Sequence, residues 1–274
     1  MNEGRVYEPH IIKDPMLPFI FHINMVYSGA PKIANWHNNL ELLWCIEGSG
    51  VLRCESVDIT FEKGDVLAIN SNELHMIYSK TSVKYYCLIT DSEFCKENGI
   101  DTDYIQFSRK INSEEIVAKF QAVTEAYSYY GVCRAAKIRL AVLDLIMALR
   151  ISYSMRDAVI TKNEKNSNTE RIKRSMVYIS QNLSKVFTLD EIASYVGVSK
   201  FYFTREFRRI TGQTVFEYIN IVRCKEAKRL ISEGASVSSA ARSCGFENMS
   251  YFSRTYKKYV GCSPSEAKAS AVIS

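Results

Sequence analysis

The chain has no uncharged apolar run that approaches the ~20 residues needed for a membrane-spanning helix. Its most apolar stretch, residues 140–151, is interrupted by Asp144 and Arg150. The opening Met-Asn-Glu-Gly-Arg also lacks the basic and then apolar order of a secretory signal. We therefore expect a cytoplasmic protein with no membrane partner.

Closely spaced cysteines are also absent. The eight cysteines are scattered along the chain, and no two of them form a C-x-x-C pair. This spacing argues against a zinc finger and against a disulfide framework. We expect the cysteines to be small buried apolar side chains in a reducing compartment.

Charge is unevenly distributed along the 274 residues, a length that accommodates about two domains. Residues 170–274 hold 17 Lys and Arg against 9 Asp and Glu, which gives a net charge of +8. The remaining residues carry a net charge of −3, so the whole chain is +5. A basic C-terminal half joined to a mildly acidic N-terminal half predicts that the C-terminal half binds a polyanion.

The hydrophobic period divides the chain into two parts. Between residues 19 and 107, short alternating segments separated by turn signals such as Glu47–Gly50 predict an all-β sandwich or barrel. From residue 113 onward the period is helical. We therefore predict a multidomain protein with an all-β domain and following α-helices at 1–158, a linker at 159–169, and an all-α domain at 170–274.

The second helix predicted after the β-rich segment, residues 134–155, is unusually apolar. Its apolar residues are Ile138, Leu140, Val142, Leu145, Ile146 and Leu149. One helix face against a small barrel needs fewer apolar residues, so part of this helix is expected to form the seam of a homodimer. The alternative is a helix that packs only on its own domain.

An imperfect repeat lies near the C-terminus. Gly197 corresponds to Gly245 with an offset of 48 residues, and Arg205 corresponds to Arg254 with an offset of 49. Each copy contains a short helix, a glycine turn and a capped second helix, which is the pattern of a helix-turn-helix. The two units are predicted at about 188–210 and 236–260.

The second helix of each unit has one apolar face and one face suited to DNA. On that face, arginine can donate two hydrogen bonds to guanine, and Thr or Phe can contact a thymine methyl group. The residues predicted to contact double-stranded DNA are Lys200, Phe201, Thr204, Arg205, Arg208, Arg209, Ser250, Ser253, Arg254, Lys257 and Lys258. The alternative for Arg205 and Arg254 is a structural salt bridge, for example to Glu206 or Glu247.

Some of these contacts are expected to hold register without reading sequence. The basic residues toward the helix ends, which more naturally meet phosphates, are Arg208, Arg209, Lys257 and Lys258. Ser199 and Asn248 are N-cap residue types, so each helix also begins with backbone N–H groups that are available to a phosphate.

The C-terminal repeat contains a longer and more specific motif. It runs from Gly245 to Arg254 and continues through Lys257, Lys258, Gly261 and Ser263–Ser265. With this motif, residues 170–268 resemble the AraC/XylS family of bacterial transcription regulators. Two mild departures are Ala240-Ala241, where Ile-Ala is usual, and Ala267-Lys268, where an aromatic-Arg pair is usual.

The resemblance implies how the domain acts on DNA. Both units of one monomer would enter successive major grooves, which lie about 34–36 Å apart. Because the units are direct repeats, a monomer would read an asymmetric site. The resemblance also favours transcription activation, with RNA polymerase as the partner.

Two motifs in the N-terminal half resemble those of cupins. The first contains Asn35, His37, Glu41 and Gly48, and the second contains Gly64, Asp65 and His75. Metal-dependent cupins would have a histidine at the position of Asn35, so this set is one ligand short and no metal site is predicted. The resemblance implies a cupin-like barrel.

We expect this barrel to sense a small polar molecule such as a sugar or a related metabolite. His37, Glu41 and His75 would hydrogen-bond the effector, and Trp36 or Trp44 would stack on it. The arm at residues 1–18 would close over the pocket. No catalytic residue, enzyme activity or cofactor is predicted. Two alternatives stay open, namely a ligand-independent regulator whose barrel only dimerises, and a metal-dependent cupin enzyme with a DNA-binding tail.

Overall fold

The computed structural model of the chain describes residues 10, 12, 14, 16–30, 33–155 and 167–272. These residues divide into two compact units. The N-terminal unit contains residues 36–155 with 10, 12, 14 and 16–28, and the C-terminal unit contains 167–272 with 29–30 and 33–35. Residues 29–35 lie between two parts of the N-terminal unit along the chain, which is why the predicted first domain, 1–158, includes them.

The N-terminal unit is built on an antiparallel seven-stranded sheet, which agrees with the predicted all-β, cupin-like fold. The strands pair in the order β1-β6-β2-β4-β8, and β3 and β5 both pair with β2. A separate two-stranded ladder joins β7 and β9. The strands are β1 Phe19–Tyr27, β2 Leu40–Cys54, β3 Val57–Glu62, β4 Val66–Ile69, β5 His75–Tyr78, β6 Ser82–Thr90, β7 Gln106–Phe107, β8 Lys110–Ile111 and β9 Ser154–Met155.

Strand β2 is long because its two halves pair with different strands. The first half pairs with β4 and β6, and the second half pairs with β3 and β5. The register with β6 shifts between Cys45 and Glu47. Gly48 has a φ of 79°, and a Cβ there would lie 2.1 Å from the carbonyl oxygen of Ser82. The turn predicted at Glu47–Gly50 is therefore wrong: β2 continues through these residues, and glycine permits the positive φ and the close approach to Ser82.

Three helices belong to the N-terminal unit. They are α1 Ser92–Glu97, α2 Glu114–Ser128 and α3 Arg134–Ser152. Helix α2 begins after Ser113, whose side chain accepts a hydrogen bond from the backbone N–H of Ile116. Ile116, Phe120 and Val123 are fully buried, so the predicted helical stripe faces the core.

Helix α3 uses most of its apolar residues within its own unit. Five of the six residues predicted as an excess are fully buried in the core, namely Ile138, Val142, Leu145, Ile146 and Leu149. Leu140 is 71% exposed, and Met147 and Ile151 are exposed on the same helix. The helix ends at Ser152 and not at residue 155, because Ser154–Met155 pairs with β7.

The C-terminal unit is helical throughout, as predicted. Its helices are α4 Ser167–Gln181, α5 Leu189–Tyr195, α6 Lys200–Thr211, α7 Val215–Ser232, α8 Val237–Ser243, α9 Met249–Val260 and α10 Pro264–Val272. Helix α7 begins after Thr214, and the side chains of Thr214 and Glu217 form a reciprocal capping box. Helix α4 buries Ile172, Met176 and Ile179.

The linker predicted at 159–169 overlaps the first residues of α4. Asn168 looked like linker sequence because it is polar, but its side chain accepts a hydrogen bond from the Tyr202 hydroxyl at 2.8 Å. It also contacts the Glu206 carboxylate at 3.4 Å. The rest of the predicted linker lies outside the described residues. Among the helices that the structure describes, none is long and apolar enough to cross a membrane.

Candidate functional site

Each helix-turn-helix unit has a short first helix, a turn and a longer second helix. These are α5 and α6 in the first unit and α8 and α9 in the second. The turns contain Gly197 and Gly245, with φ values of 73° and 76°. The second helices begin at the predicted caps, where the side chains of Ser199 and Asn248 accept a hydrogen bond from the backbone N–H three residues later.

Both second helices bury one face in the same way. Phe203 and Phe207 of α6 are at most 1% exposed, and Phe252 and Tyr256 of α9 are fully buried. These aromatic side chains anchor α6 and α9 in their units. This packing fixes the direction in which the opposite face of each helix points.

The opposite faces are open to solvent. Phe201 is 82% exposed, although a large apolar side chain is usually placed against protein. The predicted DNA-contact residues that are exposed are Phe201, Arg205, Arg208, Arg209, Ser250, Arg254, Lys257 and Lys258. The half-buried ones are Lys200, Thr204 and Ser253. Each predicted residue therefore lies at the surface of its helix.

In the first unit, Glu206 binds Arg209 more closely than it binds Arg205. The Arg209 Nε and Nη2 atoms lie 3.0 and 2.8 Å from Glu206 Oε2. The Arg205 Nε atom is 3.5 Å from Glu206 Oε1, and the Arg205 side chain is 71% exposed. Arg209 therefore donates hydrogen bonds within the protein, whereas the guanidinium of Arg205 is open to solvent.

In the second unit, the basic side chains are also exposed. The Arg254 Nε atom donates to the carbonyl oxygen of Ser250 at 3.3 Å, one turn back on the same helix. Lys258 lies with its Nζ atom 4.9 Å from the ring of Tyr259. Arg254 occupies the place in α9 that Arg205 occupies in α6.

Sequence reasoning missed Arg223, which lies in the middle of α7. Its guanidinium donates to three backbone carbonyl oxygens, those of Leu183, Lys185 and Gly245. An arginine within a long helix gives no sequence signal for such a role, because its partners are main-chain atoms that are remote along the chain.

The N-terminal unit contains a second candidate site, a buried cluster of His37, Glu41 and His75. One ligand atom of each residue lies within 4.8 Å of those of the other two. The Nε2 atoms of His37 and His75 lie 2.8 and 3.5 Å from Glu41 Oε2. Cys87 donates its thiol to Glu41 Oε1 at 3.2 Å. The predicted ligand-binding polar residues are thus brought together.

The electrostatics of the cluster favour the charged carboxylate. Burial raises the pKa of Glu41, but hydrogen bonds from His37 and His75 outweigh burial and hold this pKa well below its ordinary value. Burial lowers the pKa of His75, but the hydrogen bond and the negative charge of Glu41 raise it above its ordinary value. The cluster therefore places a cationic partner next to the carboxylate.

The structure separates the two tryptophans that were predicted to stack on an effector. Trp36 is 7% exposed and lies one residue from His37. Trp44 stacks on Tyr86 with ring centroids 5.7 Å apart and packs in the core cluster that contains α2 and α3. Positions 41 and 44 of a strand face opposite sides of a sheet, so Trp44 does not lie with Glu41.

His10 is a further member of this region that sequence reasoning did not single out. Its ring centroid lies 4.2 Å from that of His37, and its Nδ1 atom is 3.5 Å from the Asn39 amide nitrogen. His10 belongs to the arm that was predicted to close over the pocket. The signal in the sequence is weak, because the arm has no period and the histidine stands alone.

Comparisons with known proteins match both units. The sequence profile of the AraC-like ligand binding domain matches residues 29–156, and that of a helix-turn-helix domain matches residues 192–270. The Arabinose operon regulatory protein of Salmonella typhimurium is 32% identical over 284 residues, which cover 93% of this chain and 97% of that protein.

Two further relatives match the chain over different lengths. YdeC of Bacillus subtilis, named an uncharacterized HTH-type transcriptional regulator, is 22% identical and covers 96% of this chain and 94% of its own length. AarP of Providencia stuartii, named an HTH-type transcriptional activator, is 36% identical over 95 residues, or 34% of this chain and 70% of that protein.

Proposed function

This chain belongs to the AraC family of DNA-binding transcription regulators, and from that premise we propose how its two units divide the function. The C-terminal unit binds a specific DNA sequence through α6 and α9. The N-terminal unit binds a small-molecule effector that changes the effect on transcription. An effector can do so only by binding one arrangement of the protein better than another.

One observation carries the DNA-binding part of the proposal. Two helices of one chain bury equivalent aromatic faces and expose equivalent basic faces, with Arg205 and Arg254 at matching places. An exposed basic helix face that is rigidly anchored fits the major groove. The two exposed guanidinium groups are therefore proposed to read bases, one in each of two successive grooves.

The experiment compares matched variants on specific and random DNA. Arg205→Ala and Arg254→Ala should each cost about 1–3 kcal/mol on the specific site and relax the sequence preference locally. Lys257→Ala should weaken binding to both DNAs alike and lower the salt slope by about 1, as for a phosphate contact. Equal losses on random DNA for the arginine variants would contradict base reading.

The proposed effector is a polar metabolite such as a sugar, held near His37, Glu41 and His75. Buried polar groups in an apolar setting are the usual means of orienting such a ligand. Trp36 directly precedes His37 in the chain, whereas Trp44 packs in the core, so we propose Trp36 and not Trp44 for the stacking role.

Thermal unfolding of the full chain against sugars and sugar acids tests this effector. At about 100 times its Kd, an effector should stabilise the native state by about 2.7 kcal/mol. The shift should disappear in His75→Ala and Glu41→Gln and persist in Trp44→Phe. No shift with any compound would favour the ligand-independent alternative.

We further propose a homodimer formed through the outer face of α3. Leu140, Met147 and Ile151 are exposed at spacings of seven and four residues, which places them along one side of the helix. The groove beside them, lined by α2 and α3, has a volume of about 550 Å³. Exposed apolar stripes of this kind mark protein contacts.

Sedimentation velocity tests the dimer. Leu140→Lys together with Ile151→Lys should shift the protein to monomer, whereas Val186→Lys, at a position 72% exposed in the other unit, should leave the dimer intact. A monomeric wild-type chain, or an unchanged dimer in the double variant, would contradict this seam.

We also propose that the chain activates transcription in the cytoplasm, with RNA polymerase as its partner. It carries out no catalytic step in this proposal. The relative AarP, which is named a transcriptional activator and is 36% identical over 95 residues, supports activation. Transcription in vitro from a bound promoter, with and without the protein, tests the direction of the effect. Lower transcript with protein present would make the chain a repressor.

A further inference from the structure

Of the four histidines of the chain, His37 and His75 contact Glu41, and His10 lies against His37. His37 and His75 lie with ring centroids 5.0 Å apart, and the ring of His10 lies 4.2 Å from His37. His37, Glu41 and His75 are between 2% and 9% exposed. Two imidazoles therefore meet one buried carboxylate, and a third imidazole lies beside them.

The backbone fixes which nitrogen of each ring points to the carboxylate. The Nδ1 atom of His37 lies 2.9 Å from the carbonyl oxygen of Asn39, and that of His75 lies 2.9 Å from the carbonyl oxygen of Glu73. A carbonyl oxygen can only accept a hydrogen bond, so both Nδ1 atoms must donate. Each Nε2 atom therefore faces Glu41, either with a proton that it donates to the carboxylate or, where a metal ion takes the place of that proton, with its lone pair.

Three potential metal-ligand atoms consequently converge on one point. Both Nε2 atoms approach the same oxygen, Glu41 Oε2, at 2.8 and 3.5 Å. The other oxygen of the carboxylate is held by the Cys87 thiol at 3.2 Å. Metal-binding histidines characteristically donate their second ring N–H to a backbone carbonyl, and the carboxylate ligand is likewise held by an outer hydrogen bond. All three side chains are oriented in this way.

We propose that His37, Glu41 and His75 bind one divalent first-row transition-metal ion. Two imidazole nitrogens and a carboxylate oxygen suit zinc, iron or nickel better than magnesium or calcium. Metal–ligand bonds of about 2.0–2.2 Å place the ligand atoms around one ion at most about 4 Å apart. The three ligand atoms here lie within 4.8 Å of one another, so metal binding needs only small shifts. Asn35 does not have to contribute a ligand, because three protein ligands suffice where a coordination position stays open.

Such an ion would add a metal contact to the proposed effector site. Only its role in regulation rests on that proposal. A metal with an open position would bind an oxygen atom of the effector, and sugars and hydroxy acids offer such oxygens. Metal binding by the purified chain is independent of any effect on DNA, so the two claims are measured separately.

The test uses the full chain without a histidine tag, freed of metal by a chelator and then titrated calorimetrically with Zn²⁺. We expect one ion per chain and visible absorption bands of a protein-bound ion when Co²⁺ replaces Zn²⁺. His75→Ala should weaken Zn²⁺ binding by more than about 100-fold, since loss of an outer-shell partner alone costs 10–100-fold. The matched control is His22→Ala, which removes the histidine outside the cluster.

Glu41→Gln keeps the size of the side chain and guards against a folding defect in the alanine variant. It should also lose Zn²⁺ affinity while retaining a cooperative unfolding transition. Absence of Zn²⁺ binding, or equal affinity in wild type, His75→Ala and Glu41→Gln, would overturn the metal site. Stabilisation by a sugar with chelator present would show that the effector binds without the ion, and would overturn the proposed contact between the ion and the effector.

Discussion

Arg223 and Gly245 are joined by a hydrogen bond of 2.9 Å between the guanidinium Nη1 atom and the carbonyl oxygen. Gly245 lies in the turn of the second helix-turn-helix unit. The same guanidinium donates from Nε to Leu183 and from Nη2 to Lys185, at 3.0 and 2.5 Å, in the connection that precedes α5. One side chain of α7 therefore ties the segment before the first unit to the turn of the second.

Replacing Arg223 should weaken this connection. In Arg223→Gln, three carbonyl oxygens lose a charged donor, so the free energy of unfolding of the C-terminal unit should fall by about 1–3 kcal/mol. Urea unfolding followed by circular dichroism measures the change. Arg242→Gln is the control, because Arg242 is exposed and donates to Ser238 on its own helix. Equal destabilisation by both variants would contradict the role of Arg223.

The two turn glycines should differ in their tolerance of a side chain. Gly197 and Gly245 both have positive φ, so alanine at either should cost about 1–2 kcal/mol in backbone strain. Space is open around Gly197, but a Cβ at Gly245 would lie 2.4 Å from the carbonyl oxygen of Leu183. Thermal unfolding should show Gly245→Ala as clearly the less stable variant. Matching midpoints would show that the second turn is not confined.

The adjacent arginines at the end of α6 should have different roles. Arg209 is paired with Glu206, which is 7% exposed, whereas Arg208 is exposed and its side chain is open to DNA. Arg208→Ala should therefore lower DNA affinity with little effect on stability, and Arg209→Ala should mainly lower stability. Fluorescence anisotropy and urea unfolding separate the two effects. The reverse pattern would assign the phosphate contact to Arg209.

The capping box of α7 should make stability depend on pH. Hydrogen bonds from the Thr214 backbone N–H and hydroxyl lower the pKa of Glu217 from its ordinary value. A lowered folded-state pKa adds stability above the unfolded value of about 4.3, and this stability is lost as pH falls through the folded value. The stability difference between wild type and Glu217→Gln should thus shrink between pH 7 and pH 3. A constant difference would contradict this assignment.

The DNA-binding half was predictable because its signals are local and occur twice. Ser199 and Asn248 cap their helices as expected, and the buried faces follow the helical period. Arg209 was harder to assign, since its pairing with Glu206 depends on a rotamer and on how deeply that glutamate is buried. The sequence shows which residues share a helix face, but not which charges are already paired.

The N-terminal half was less predictable because its contacts are remote along the chain. A glycine at position 48 looks like a turn, but it lies with positive φ inside a strand, just after a register shift between Cys45 and Glu47. Trp44 was grouped with Glu41 by proximity in sequence, although the strand period places them on opposite faces. His10 approaches His37 although the arm that contains His10 has no periodic pattern. The sequence therefore does not predict this contact.

The most direct test of the central claim is selection of binding sites from a random DNA library by the wild-type chain, Arg205→Ala and Arg254→Ala. The wild type should enrich one asymmetric motif with two unlike segments about one helical turn, or 34–36 Å, apart. Each variant should relax only one of the two segments, and a different one in each case. A motif confined to one segment, or relaxation of the same positions by both variants, would contradict DNA reading by α6 and α9 together.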